Sequence, residues 1–352
     1  MSHAVFRRLL VPVLAFAASA CGGRGADSTT ALTGAGATFP YPIYSQWFQQ
    51  YAGASGVEIN YQSIGSGGGI RQFTEGTVDF GATDGPMKDD QIAAVNGNVV
   101  HLPTVLGAVV LTYNLPSLGE TRLRLDGAAV ADIFLGRITR WDDPRLAALN
   151  PDLPLPARDL IVVHRSDGSG TSFVFTDYLS KVSEAWRTRV GAGTAVEWPI
   201  GLGGKGNEGV TQQVKQLEGS VGYVELVYAA SNGLPVALLR NANGELVEPG
   251  LAAVTAAAAG ATLTPDTDFR VSITNAPGAG AWPIASYTWL LLRTDNPDAG
   301  KATAIRNFLR WMVGTEAQGM ATQLGYAPLP EPVAALVRAR VGTLTSGGQM
   351  LP

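Results

Sequence analysis

Three times in this chain a short apolar run gives way, through glycine, serine and threonine, to a segment with helical periodicity. The first junction is Gly34-Ala35-Gly36-Ala37-Thr38-Phe39-Pro40, followed by Ile43, Trp47, Phe48 and Tyr51 on one helical face, with a proline where a first helical turn accepts one. The second leaves a strand over 57–64 through Gly65-Ser66-Gly67-Gly68-Gly69 and enters a helix that begins near Ile70. The third leaves a strand over 160–164 through Arg165-Ser166-Asp167-Gly168-Ser169-Gly170-Thr171 and enters a helix carrying Phe173, Phe175, Tyr178 and Leu179. Short strands alternating with helices predict an α/β fold with largely parallel sheets.

With 352 residues the chain exceeds what one compact domain usually holds. Two fully apolar stretches, 107–113 and 287–292, read as buried strands and bracket a middle portion with its own alternation. Two lobes are therefore expected, with the chain crossing out and back. The segment 301–312 has Ile305, Phe308, Leu309 and Met312 at helical spacing and returns as a packed helix. The alanine-rich stretch 251–261 reads as a plain surface helix.

Composition narrows the function classes. A chain that is 46% hydrophobic and 15% charged can bury a core and is not disordered. Its net charge of −4, and the lack of any basic run longer than Arg7-Arg8, argue against a nucleic-acid partner, whose phosphates call for basic patches. One cysteine forms no intramolecular disulfide, and three histidines, His3, His101 and His164, leave little for a zinc site or a histidine relay. No metal and no cofactor are expected.

Arg7-Arg8, the apolar run 9–18 and the small residues up to Ala20 have the layout of a secretory signal peptide over 1–20. The run is too short to span a bilayer. Ala18-Ser19-Ala20-Cys21 resembles a bacterial lipobox, although Ala18 stands where that motif usually has leucine. Lipidation of Cys21 is expected, with 21–31 as the linker from the anchor and the remaining body exported to the periplasm or cell surface. Removing residues 1–20 takes away two arginines and no acid, so the charge moves from −4 to −6.

A helix N-terminus presents unpaired N–H groups and partial positive charge, and glycine lets a ligand approach them. Each junction alone could be only a turn; three together suggest an oxyanion site. Arg165 could grip such an anion bidentately while Asp167 orients it, or the two could form a surface ion pair. Asp84 ends the short strand in Val78-Asp79-Phe80-Gly81-Ala82-Thr83-Asp84-Gly85. A carboxylate beside an anion is repulsive unless the ligand brings a proton, as phosphate does near neutral pH and sulfate does not. The other role open to Asp84 is a helix N-cap. Gly204-Lys205-Gly206 lacks the Ser/Thr and upstream glycine of a Walker A loop, residues 65–70 miss the third glycine of a dinucleotide fingerprint, and the chain contains neither G-x-S-x-G nor H-E-x-x-H. What remains is anion capture without turnover.

Five motifs in this order resemble the periplasmic phosphate-binding proteins that serve the high-affinity phosphate ABC importer, a branch of the type II substrate-binding proteins. They are 32–40, Asn60-Tyr61-Gln62-Ser63-Ile64 with the following glycine run to Gly69, 78–84, 165–173, and Trp198-Pro199-Ile200-Gly201-Leu202-Gly203-Gly204-Lys205-Gly206-Asn207. The resemblance covers nearly the whole chain after the signal peptide. It implies a two-lobed Venus-flytrap α/β fold, each lobe a sheet flanked by helices, joined by two crossover strands and closing on its ligand. Residues 29–106 with 284–352 would form lobe I and 107–283 lobe II. It further implies that phosphate is held by Thr38, Phe39, Ser66, Asp84 as proton acceptor, Arg165, Ser169, Gly170 and Thr171, with Asp167 behind Arg165. Gly67 departs from the pattern, since relatives often carry a second serine there. The implied partners are inorganic phosphate and the permease subunits of a phosphate importer, and the implied state is a monomer that touches the membrane only through its lipid. A secreted phosphatase, a phosphate-sensing or adhesion module, and a molybdate or sulfate binder are the alternatives.

Overall fold

Strand β1, Ala31–Gly36, runs into helix α1, Tyr41–Ser55, which buries Ile43, Tyr44, Trp47, Phe48 and Tyr51 and ends where Gly56 takes φ 73° and donates its N–H to Ala52 O at 2.9 Å. The computed structural model describes Met1, residues 31–261, residue 263 and residues 267–351. The expected signal peptide, Cys21 and the linker up to residue 30 lie outside these, apart from Met1.

Strand β2, Glu58–Ser63, lies parallel to β1 and leads to helix α2, Ser66–Glu75. This helix starts four residues before the expected Ile70. Glycines are poor helix formers, yet here the first turn is fixed by contact. A Cβ on Gly69 would sit 2.4 Å from Gly36 Cα and 2.6 Å from Ala35 O, so glycine alone lets α2 lie against β1. Strand β3, Phe80–Thr83, pairs in parallel with the other side of β1.

Strand β4, Val99–Tyr113, begins eight residues before the expected 107. After it come β5, Ile161–Arg165, helix α3, Gly170–Val182, the short β6, Leu202–Gly204, helix α4, Gly206–Gln216, and β7, Ser220–Glu225. Helix α5, Leu251–Ala259, strand β8, Ala285–Arg293, and helix α6, Ala299–Met312, follow. These eight strands form one sheet in the order β2-β1-β3-β8-β4-β7-β5-β6. Pairing is parallel within β2-β1-β3 and within β7-β5-β6, and antiparallel where β8 and β4 join them. β4 serves both halves: Val99 to Ala108 pairs with β8, and Val109 to Tyr113 pairs with β7.

Pro103 has no N–H to give the ladder, and the register slips there. Thr288 pairs with Val105 and Trp289 with Pro103, leaving Thr104 as the extra residue of a bulge. The alanine-rich α5 corrects the surface-helix expectation. It buries Ala253, Val254, Ala257 and Ala258, because small side chains on one face allow close approach to the layer beneath.

Candidate anion-binding cleft

The three junctions meet. Thr38 and Phe39 lie in the turn between β1 and α1, Ser66 opens α2, and Asp84 follows β3; facing them from the other half are Arg165 at the end of β5, Ser169 as N-cap of α3, and Gly170 and Thr171 in its first turn. All eight are buried. A Cβ on Gly170 would lie 2.4 Å from Ser66 Oγ and 2.6 Å from Asp84 Oδ2, and Gly67 donates its N–H to Gly168 O at 2.8 Å. A Cβ on Gly67 would lie 3.0 Å from Gly168 Cα, so the two glycine backbones meet closely across the cleft.

The backbone supplies the donors. Among the described residues, no hydrogen bond uses the N–H of Thr38, Phe39, Gly170 or Thr171. Four buried N–H groups without partners are costly unless a ligand accepts from them. Their carbonyl sides are tied back: Tyr228 donates its hydroxyl to Thr38 O at 2.5 Å and Tyr326 donates to Phe39 O at 2.7 Å. The turn is thereby held with its N–H groups free.

Arg165 is gripped by Asp167, with Nε donating to Oδ1 at 2.8 Å and Nη2 to Oδ2 at 2.5 Å. The pair is not the surface ion pair that the sequence left open, since the Arg165 side chain is 1% exposed. One edge of the guanidinium is thus committed and Nη1 also donates to Thr171 Oγ1 at 3.4 Å, which leaves one further N–H on each of Nη1 and Nη2 for an anion. Burial alone would push Asp167 up, but the hydrogen bonds and charge of Arg165 hold its carboxyl below the usual range. Asp167 Oδ1 also accepts from Gly206 N at 3.0 Å, which links Arg165 to the start of α4.

Asp84 is not a helix N-cap, because the next helix begins at Asp89 with Lys88 in the cap position. Its Oδ1 accepts from Thr288 Oγ1 at 2.8 Å, while Oδ2 is buried without a partner. Burial pushes its pKa up to about 7, against the pull of Thr288, Arg165 and Ser66. A solitary acceptor thus stands in a ring of donors.

Sequence reasoning missed the residues behind this ring. Thr288 sits beside the bulge at Thr104, and its only sequence signal was one polar residue in an apolar strand. Asn207, the last residue of the fifth motif, donates Nδ2–H to Thr38 Oγ1 at 2.7 Å and to Thr171 Oγ1 at 3.1 Å. Glu225 at the end of β7 is fully buried, accepts from Val227 N at 2.8 Å, lies with Oε2 3.2 Å from the hydroxyl oxygen of Tyr326, whose proton goes to Phe39 O, and leaves Oε1 unpartnered. Burial, with the nearby Asp84 adding to it, raises its pKa well above the usual carboxylate range.

The profile of the PBP superfamily domain matches residues 24–316. The chain is 46% identical over 299 residues to the phosphate-binding protein PstS of Xylella fastidiosa strain 9a5c, covering 85% of this chain and 81% of that protein. It is 45% identical over 311 residues to the PstS of Haemophilus influenzae, covering 88% and 92%. Among solved structures it resembles a high-affinity periplasmic phosphate-binding protein, PfluDING, bound with phosphate, at a TM-score of 0.71 and 21% identity over 88% of this chain and 93% of that one. That likeness bears on the fold, while the identities above carry the kinship: the chain belongs to the PBP superfamily, in its branch of PstS phosphate-binding proteins.

Proposed function

We propose that this protein captures inorganic phosphate between its two halves and delivers it to the permease of a phosphate ABC importer, without chemical turnover. The observation that carries the reading is the donor ring itself: four buried, unpartnered N–H groups and the remaining N–H groups of Arg165, from both halves of the sheet, around the unpartnered carboxylate oxygen Asp84 Oδ2. Thr38, Phe39, Ser66, Arg165, Ser169, Gly170 and Thr171 would hold the phosphate oxygens, and Asp84 would accept the ligand's proton. Burying a multiply charged anion is offset by hydrogen bonds of roughly 1.5–3 kcal/mol each when one partner is charged. A site built to receive a ligand O–H can reject an analogue lacking it by roughly 10⁴–10⁵, so sulfate is excluded and arsenate, which keeps proton and shape, is not.

Lobe I would comprise residues 29–106 and 284–352 and lobe II 107–283, with β4 and the return into β8 as the crossovers. The chain acts as an exported monomer anchored through lipidated Cys21; no helix of the described residues is long and apolar enough to cross a membrane. Names of the relatives, all binding proteins, support capture over hydrolysis. So does the chemistry, for among the described residues no histidine, lysine or carboxylate side chain hydrogen-bonds to Ser66 Oγ or Ser169 Oγ. His101 has both ring nitrogens engaged, one with Asp268 and one with Met87 N.

Calorimetric titration of phosphate-stripped protein with phosphate and then sulfate tests the reading. One-to-one phosphate binding with silent sulfate is expected; binding of neither, or of both alike, overturns it.

A further inference from the structure

The four side-chain hydroxyls of the cleft all accept hydrogen bonds from the protein. Ser66 Oγ accepts from Asp84 N at 3.2 Å and Ser169 Oγ from Ser172 N at 3.0 Å. Thr38 Oγ1 accepts twice from one residue, from Asn207 N at 3.2 Å and Asn207 Nδ2 at 2.7 Å. Thr171 Oγ1 accepts from Asn207 Nδ2 at 3.1 Å and Arg165 Nη1 at 3.4 Å. A hydroxyl has two lone pairs and one proton. In Thr38 and Thr171 both lone pairs are filled, and among the described residues no acceptor takes either proton.

The Asn207 amide cannot turn over. Its Oδ1 accepts from Glu225 N at 3.0 Å, so the NH₂ face must point at the two threonines. Asn207 is itself fully buried, so a flipped amide would leave its polar atoms and those of its partners mispaired.

We propose that Asn207 is a positioning residue that sets the hydrogen-bond polarity of the cleft, turning the Thr38 and Thr171 hydroxyls into obligate donors toward the phosphate. The inference rests on the phosphate reading of the same site and names what keeps two of its four hydroxyls, those of Thr38 and Thr171, from competing with Asp84 as acceptors. Without Asn207 each hydroxyl regains a free lone pair and can face the ligand's O–H. Two hydroxyls locked as donors beside one carboxylate acceptor sharpen the ligand's proton count, while Ser66 and Ser169, each accepting a single hydrogen bond, are not fixed in this way.

The test is a double-mutant cycle on the full phosphate-stripped protein, read by calorimetry with inorganic phosphate and with thermal melts as a fold check. In the wild-type background Thr38→Val, which removes a donor to a charged ligand, should weaken phosphate binding by roughly ten- to a hundredfold. In Asn207→Asp the carboxylate attracts the hydroxyl proton away from the ligand, and Thr38→Val should then cost less than about twofold. Asn207→Ala supplies the same comparison should the aspartate variant not fold, with an intermediate Thr38→Val penalty. Equal Thr38→Val penalties in all backgrounds would reduce Asn207 to a packing residue and overturn the inference while leaving phosphate binding intact. Absence of phosphate binding in the wild type would instead remove the reading beneath it.

Discussion

Asp84 and Gly170 approach each other across the cleft so closely that a single added carbon would fill the gap, since a Cβ on Gly170 would stand 2.6 Å from Asp84 Oδ2. The unpartnered carboxylate oxygen of one half and the first helical N–H of the other therefore bound the same small space.

Gly170→Ala should keep the fold, because alanine suits a first helical turn and Gly170 does not hold a left-handed φ. Closing the halves on the extra carbon should cost about 3 kcal/mol, at the upper end for overpacking, or roughly a hundredfold in phosphate Kd. Calorimetry beside a melting curve checks both, and an unaltered Kd would mean that the halves do not close at this point.

Asp84→Asn keeps the shape and adds an N–H where the ligand's proton should be accepted. The preference for phosphate over sulfate should collapse toward unity from the roughly 10⁴–10⁵ that a proton-reading site can reach. Competition titrations with both anions measure the ratio; a preserved ratio would strip Asp84 of its role.

Asp167→Ala leaves Arg165 buried without its partner. Breaking a buried pair in this way costs about 3–5 kcal/mol, so the phosphate-free variant should lose much of its stability to urea, and added phosphate should restore part of it by supplying a new anion. A loss below about 1 kcal/mol would place the pair with exposed ones.

Stability without phosphate should fall as pH rises. Asp84 goes from an ordinary 3.8 to about 7 in the fold, and Glu225 is raised well above 4.5, both first by burial. Between those limits the native state holds protons that the unfolded chain has lost, so the stabilisation present below the unfolded pKa values disappears as pH climbs through the folded ones. Glu225→Gln removes one of the two carboxyls from this balance. Its advantage over the wild type in chemical unfolding should grow from about pH 5 to about pH 8, and parallel pH profiles would contradict it.

Most of the cleft was legible because its chemistry is local. Gly, Ser and Thr at a strand-to-helix turn determine where N–H groups are free, and Arg165 and Asp167 are only two residues apart. The polar residues behind the ring were not legible, since Asn207 reaches Thr38 across 169 residues and Thr288 reaches Asp84 across 204. Periodicity also failed where packing overrode propensity. The first turn of α2 is glycine-rich, so its start was set by backbone approach to β1 and not by helix-forming side chains. In α5 the alanines that suggested a solvent face are small because something lies against them.

The shared strand β4 has a consequence for unfolding. Its first ten residues pair with β8 in one half of the sheet and its last five pair with β7 in the other, so detaching this strand strips the innermost pairing from both halves at once, although β2-β1-β3-β8 and β7-β5-β6 keep their own. Two halves that share one strand are therefore coupled, unlike beads on a string. The chain should unfold as one cooperative unit, and calorimetric and van't Hoff enthalpies should agree across both lobes.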